Sequence, residues 1–125
     1  MRKGRGILAT ADELKIGRQQ RGAVGILILD GPVSVNTYEK LEAALDELFR
    51  SGGYRVVVDM GNVRYVSSAG AGVFMNALSQ CRENQGTIVL VNLTPGVAEI
   101  FDLLNLTNVL PITTSIDEAL AMIPV

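Results

Sequence analysis

Residues 55–84 read RVVVDMGNVRYVSSAGAGVFMNALSQCREN, and this run decides the fold class. Arg55 to Met60 is a near-continuous aliphatic stretch, the pattern of a strand buried on both faces. Gly61-Asn62 is a turn signal, and Val63 to Ser67 is a short connector. From Ala69 to Asn84 the period lengthens. Phe74, Met75, Leu78 and Cys81 recur at helical spacing and mark one buried side of a helix. A buried strand that feeds a helix through a short loop is the unit from which parallel α/β sheets are built.

The alternation continues on both sides. Upstream, Leu14 to Arg18 alternates weakly and reads as a strand, with a turn at Arg21-Gly22. Val24 to Asp30 reads as a buried strand ended by Gly31-Pro32, so the two strands form a hairpin that opens the sheet. Val35, Tyr38, Leu41, Leu45, Leu48 and Phe49 then line one face of a helix. Ser34 or Asn36 is its expected cap, Asn36 with Glu39 having capping-box spacing, and Ser51-Gly52-Gly53 stops it. Downstream, Thr87 to Val91 is another buried strand, and Pro95 fits the first position of a helix over Thr94 to Leu104. Phe101 to Leu106 reads as core and turn, with an exposed Leu at the rim of an interface as the alternative, and Asn105 to Asn108 as the turn to a last short strand at Val109-Leu110. Ser115 caps a final helix, with Glu118 at capping-box distance. The order ββαβαβα(β)α predicts an α/β fold in which a mixed, mostly parallel β-sheet packs against about four α-helices. Residues 1–125 read as a single domain, with 1–10 a loosely attached terminal segment.

Composition narrows the chemistry. At 125 residues, 48% hydrophobic and 19% charged, the chain has the balance of one globular domain. Aromatics are 5% and Trp is absent, so the core is aliphatic. The net charge of −2 gives no footprint for nucleic acid. His 0 excludes a Ser-His-Asp triad, a Cys-His dyad and an imidazole metal ligand. Cys81 stands alone and reads as a small core residue, unable to close an intrachain disulfide or to build a thiolate zinc site. No metal or organic cofactor is indicated. The start MRKGRG is followed by no sustained apolar run before Ala11-Asp12-Glu13, so no signal peptide is read there. Arg2, Lys3 and Arg5 read as a solvated end. No apolar run approaches the ~20 residues of a membrane helix, and the expectation is a cytoplasmic protein without membrane insertion.

The informative segment is where the second helix begins. Ser67 and Ser68 are followed by Ala69, Gly70, Ala71 and Gly72. A helix start needs one capping Ser, and each glycine in its first turns costs up to ~1 kcal/mol relative to Ala. Small residues let the helix pack close to the sheet and leave a flat surface by which another backbone can approach Ser68. A phosphoryl group on Ser68 would carry roughly −1.5 to −2 charge beside the free N–H groups of the helix start. It would turn a small neutral surface into a bulky anionic one. Ser67 is the second choice of acceptor. Asp59, at the strand end, is expected to accept backbone N–H bonds in the turn at Gly61-Asn62.

These residues resemble a known family. The stretch from Asp59 to Val73, DMGNVRYVSSAGAGV, resembles the signature of the STAS domain, specifically that of the bacterial anti-sigma factor antagonists. The opening hairpin, the Gly31-x-x-Ser34 turn, TIVLVNLTPGVAEIFDLLNL and the closing helix extend the resemblance over nearly the whole chain. It implies a single STAS-like domain. It also implies that Ser68 is the phosphoacceptor and that Ser34, Asn36, Ser67, Ser68, Ala69, Gly70, Ala71 and Gly72 meet the partner. Some relatives carry Asp at the positions of Ser34 and Ser67; both are Ser here. The implied partners are an anti-sigma factor that is also a GHKL-type serine kinase, and a PP2C-type phosphatase. The implied state is a monomer or weak dimer that catalyses nothing itself. STAS domains also serve as transporter accessory subunits, parts of stress-signalling assemblies or ligand-sensing modules, the second implied class.

Other readings fit less well. A phosphoaspartate receiver would use Asp59, but it needs an acidic pair after its first strand and a late Lys; the three Lys are Lys3, Lys15 and Lys40. Val66-Ser67-Ser68-Ala69-Gly70 half-matches the G-x-S-x-G elbow, with Val66 replacing the first Gly and no His as base. Gly70-Ala71-Gly72 starts a dinucleotide fingerprint, but Met75 stands where its third Gly belongs, and no P-loop motif occurs.

Overall fold

The computed structural model describes residues 13–124. Residues 1–10, expected to be loosely attached, lie outside the described residues. Strand β1 (Lys15–Arg21) and β2 (Val24–Asp30) form the opening hairpin, turned at Gly22 with φ 59°. Helix α1 (Tyr38–Gly52) leads to β3 (Arg55–Asn62), α2 (Ser68–Glu83) to β4 (Thr87–Val91), and α3 (Pro95–Leu103) to β5 (Ile112–Thr113). Helix α4 (Ile116–Met122) closes the described chain. The sheet order is β1-β2-β3-β4-β5, with β1 antiparallel to β2 and the remaining pairs parallel.

This order decides which face each helix covers. Parallel crossovers are right-handed, so successive steps in one direction put α1, α2 and α3 on the same face of the sheet. The larger core lies there. Leu27, Leu29, Val56, Val58, Met60, Ile88 and Leu90 of the strands meet Leu41, Leu45, Leu48, Phe74, Leu78, Val97 and Phe101 of the helices. Val24, Ile26, Val57, Val89 and Val91 point the other way, onto Ala119 and Ile123 around α4. Val57 thus opposes its neighbours Val56 and Val58 across the pleat, and this is why β3 reads as unbroken hydrophobicity. Cys81 is buried in the larger core, as expected.

Three local expectations need correction. Helix α1 begins at Tyr38, and neither Ser34 nor Asn36 caps it. Residues 34–37 form a separate turn: Thr37 Oγ1 accepts from Ser34 N at 2.8 Å and donates to Pro32 O at 2.7 Å, and Ser34 O accepts from Thr37 N and Tyr38 N. Val35 therefore leaves the buried helical face and stands 67% exposed. Strand β3 runs to Asn62, through the expected turn, because β2 shifts register between Ile28 and Asp30 and keeps pairing with it. The last strand is Ile112–Thr113 and not Val109-Leu110, whose N–H groups both bond to Leu106 O in a turn. At α4 the expected cap forms, Glu118 N donating to Ser115 Oγ at 3.1 Å. The Glu118 carboxylate reaches Thr114 instead of the capping residue, and these two hydrogen bonds lower its pKa.

Candidate functional site

The carboxyl ends of β2, β3 and β4 emerge at one end of the sheet, where α/β folds place their sites. Two loops are stitched together there. Gly31 N donates to Asn62 O at 3.1 Å, Val33 N to Tyr65 O at 2.9 Å and Ser67 N to Val33 O at 2.8 Å, with a parallel bridge between Val33 and Val66. The loop before α1 and the loop before α2 thus continue the β2–β3 pairing beyond the strands. Gly31 makes the corner at φ 126°, a conformation that disfavours any side chain.

The two serines have separate tasks. Ser67 is the N-cap of α2, in extended conformation, and its Oγ accepts from Gly70 N at 3.1 Å. It is buried, 8% exposed. Ser68 is the first helical residue and is exposed, and its hydroxyl makes no hydrogen bond among the described residues. Ser34 is 9% exposed, its Oγ accepting from Asn36 N at 3.2 Å. Where some relatives have Asp, Ser34 and Ser67 both act as short oxygen acceptors for a nearby backbone N–H, a role Asp fills equally well. Of the eight residues expected to meet a partner, Asn36, Ser68 and Gly72 are exposed and Ala69 is half-buried. Ser34, Ser67, Gly70 and Ala71 are buried and shape the surface from beneath. Gly70 is there for packing: a Cβ on it would lie 2.7 Å from both Val33 Cγ1 and Val33 O.

Asp59 holds the turn as expected, its Oδ1 accepting from Gly61 N at 3.0 Å. It has a second partner that sequence reasoning missed. Asn92 Nδ2 donates to the same oxygen at 3.2 Å, from a residue at φ 62° just after β4. The signal was present, because Asn tolerates the left-handed region better than most residues and here stands between a strand and Thr94-Pro95. Thr94 Oγ1, expected first to help start α3 and second to offer a partner contact, donates to Val63 O at 2.9 Å instead of capping its helix. Both contacts tie the β4–α3 loop to the loop that carries Ser68. Also missed were two exposed apolar side chains on these stitched loops, Val35 and the half-exposed Tyr65. Val35 was hidden by a helical spacing it satisfies only by chance. Tyr65 borders a cleft of about 380 Å³ that mixes Glu13 and Asp30 with Lys15 and Arg64. Among the described residues, no three side chains of the His, Cys, Asp and Glu types come together as a metal site, and no helix is long and apolar enough to cross a membrane.

The arrangement offers one free hydroxyl on a rigid, capped helix start, with no imidazole and no carboxylate bonded to it. Such a hydroxyl is open to an incoming group or surface. BtrV of Bordetella bronchiseptica, described as a candidate anti-sigma factor antagonist, is 38% identical over 99 residues, spanning 78% of this chain and 85% of the relative. The Bacillus cell fate determinant SpoIIAA, solved in its phosphorylated form, shares the fold with a TM-score of 0.65 at 14% identity, over 86% of this chain and 98% of that one. The murine anion transporter Slc26a9 contains the same fold, with a TM-score of 0.78 at 14% identity, over 96% of this chain and 24% of that one. The family model of the STAS domain matches residues 15–119, and the chain belongs to the STAS domain family.

Proposed function

We propose that this protein is an anti-sigma factor antagonist that acts by partner switching in the bacterial cytoplasm. Unphosphorylated, it binds an anti-sigma factor that is also a GHKL-type serine kinase, and the sigma factor is released. The kinase then transfers the γ-phosphoryl group of ATP to Ser68. The Ser68 Oγ–phosphorus bond forms, the bond to the departing ADP oxygen breaks, and the hydroxyl proton passes to a base of the kinase. A PP2C-type phosphatase reverses the change with water, returning Ser68 and inorganic phosphate. This chain contributes the acceptor and the docking surface, and the catalytic groups belong to its partners.

The single observation that carries the reading is the division between the serines: Ser67 is spent on the cap and buried, while Ser68 is exposed with its hydroxyl unengaged. A phosphate there needs no refolding, because the first N–H groups of α2 lack intrahelical partners and the helix dipole favours an anion. A partner seated on the neutral surface would lose contacts and have to desolvate a dianion. The 38% identity with BtrV favours this role. The second reading, an accessory module of a transporter, draws on the fold likeness to Slc26a9 at 14% identity.

Incubation with the cognate kinase and ATP, followed by mapping of the modified peptide by mass spectrometry, is expected to place phosphate on Ser68. Phosphate confined to Ser67, or none, overturns the assignment. By calorimetry, Ser68→Ala is expected to retain anti-sigma binding, and Ser68→Asp to weaken it at least ~10-fold, a loss of ~1.4 kcal/mol. Equal affinities would remove the switch and leave the transporter reading as the better one.

A further inference from the structure

The fold accounts for Gly70 and leaves Gly72 without a reason inside the molecule. A Cβ added at Gly72 meets nothing within 4 Å. The residue is exposed and lies within α2, where only proline is less favoured than glycine. It stands four residues after Ser68, so the two share one face of the helix. Asn76 and Gln80 continue that face, which carries no charge from Ser68 until the last turn, where Arg82 and Glu83 stand exposed.

Alongside runs an acidic edge. Glu39, Glu42 and Asp46 fall on one side of α1 at helical spacing. Glu42 and Asp46 line a groove of about 250 Å³ between α1 and α2, opposite Val73, Asn76 and Gln80. Neither carboxylate makes an ion pair among the described residues, and Arg50 at the foot of the same edge is held by Glu47 at 3.0 Å. At the upper end, Val35 and Tyr65 stand exposed beside the Ser68 loop. Val35 is set on a turn fixed by the hydrogen bonds among Pro32, Ser34 and Thr37, so presenting it to a partner loses little conformational freedom.

We infer that the docking surface extends from Ser68 down α2 and takes a basic helix of the anti-sigma factor, its Lys and Arg side chains facing Glu42 and Asp46 and its backbone lying against the bare helix at Gly72. This rests on the function proposed above and names the chemistry of the partner. Charge complementarity selects the occupant: a contact face uncharged from Ser68 to Gln80 and bordered by the carboxylates of Glu42 and Asp46, which make no ion pair among the described residues, fits a segment with an uncharged strip and a basic flank. The exposed carboxylates steer the encounter and act on the association rate, while close approach at Gly72 holds the complex. A phosphate on Ser68 stands one turn above Gly72 on the same face and lifts the incoming backbone away, whatever attraction the acidic edge supplies at longer range.

The test uses the full chain and the purified cognate anti-sigma factor, with affinity from calorimetry and rates from stopped flow at several salt concentrations. Gly72→Gln is expected to weaken binding ~10-fold or more, the range of a central contact, without lowering the melting temperature. Gly72→Ala, the gentler variant, should raise the melting temperature and weaken binding less. Glu42→Lys with Asp46→Lys should slow association ~10-fold and flatten its salt dependence, as loss of steering does. Asp117→Lys on α4, behind the sheet, should change neither. If Ser68→Asp still releases the partner while the Gly72 and charge-reversal variants bind as the parent does, the inference fails and the switch stands. If Ser68→Asp binds as tightly as the parent, the switch itself falls. Variants that instead alter self-association in the ultracentrifuge would assign this face to a second copy and overturn the inference.

Discussion

Two adjacent serines with the same side chain do opposite things because of half a turn of backbone. Ser67 is extended, φ −81° and ψ 172°, which turns its oxygen back onto Gly70 N. Ser68 is the first helical residue, and its side chain leaves the helix toward solvent. The sequence ranked Ser68 first as acceptor from its place at the helix start, with Ser67 as a plain cap the competing reading; the coordinates show the cap bond that consumes the Ser67 hydroxyl. Ser67→Ala is expected to cost ~1 kcal/mol of unfolding free energy, because Gly70 N loses its acceptor in a buried place, whereas Ser67→Asp should hold within a few tenths. Urea denaturation measures both, and equal losses for the two variants would show that the cap hydrogen bond is not what stabilises α2.

At the scale of elements, the Ser68 loop is held from two sides. Val33 continues the parallel pairing from the α1 loop, and Asn92 and Thr94 reach over from the end of β4. Thr94 was legible as a helix start because Pro95 follows it, yet its hydroxyl serves a neighbouring loop, thirty-one residues earlier in the chain. Hydrogen bonds of that sequence separation leave no periodic trace. Val35 failed for the same reason in reverse: it satisfies the helical period, but Thr37 closes its own turn on Pro32 and delays α1 to Tyr38. Thr94→Val keeps the shape and removes the bond to Val63 O, and is expected to destabilise the fold by about 1 kcal/mol. Hydrogen exchange should quicken at Gly61 and Val63, whose N–H groups bond within this loop, and stay unchanged at Val57 in the centre of β3. Uniform exchange across all three would mean that the β4–α3 loop does not order the site.

For the whole molecule, stability rests on two unequal cores on either side of one sheet, the larger one aliphatic but for Phe49, Phe74, Phe101 and a few others, and not the purely aliphatic core that composition suggested. Cys81 lies in the larger core, and burial pushes its thiol up from 9.0 to about 11. The folded state therefore holds this proton more tightly than the unfolded chain. Below pH 9 both states are protonated and the thiol has no pH effect; between about pH 9 and 11 the unfolded state gains by ionising and stability falls. Cys81→Ala should lose part of this decline in denaturation midpoints measured at pH 8 and pH 10. The native thiol should also resist alkylating reagents at pH 8 until denaturant is added. Rapid labelling of the folded protein would contradict its burial.

The amino-acid order by itself determined the class of fold, the burial of the aliphatic runs Val24 to Leu27, Val56 to Val58 and Ile88 to Val91, and the helical faces of Leu41, Leu45, Leu48, Phe74 and Leu78. Those features follow from periodicity, which the chain carries locally. The tertiary structure decided which serine is free, why Gly70 and Gly72 differ, and how Val35 and Tyr65 come to stand exposed on loops joined to one another. Each of these depends on what a neighbouring segment occupies, and side-chain exposure at a loop is settled only when distant backbone groups have taken their hydrogen bonds.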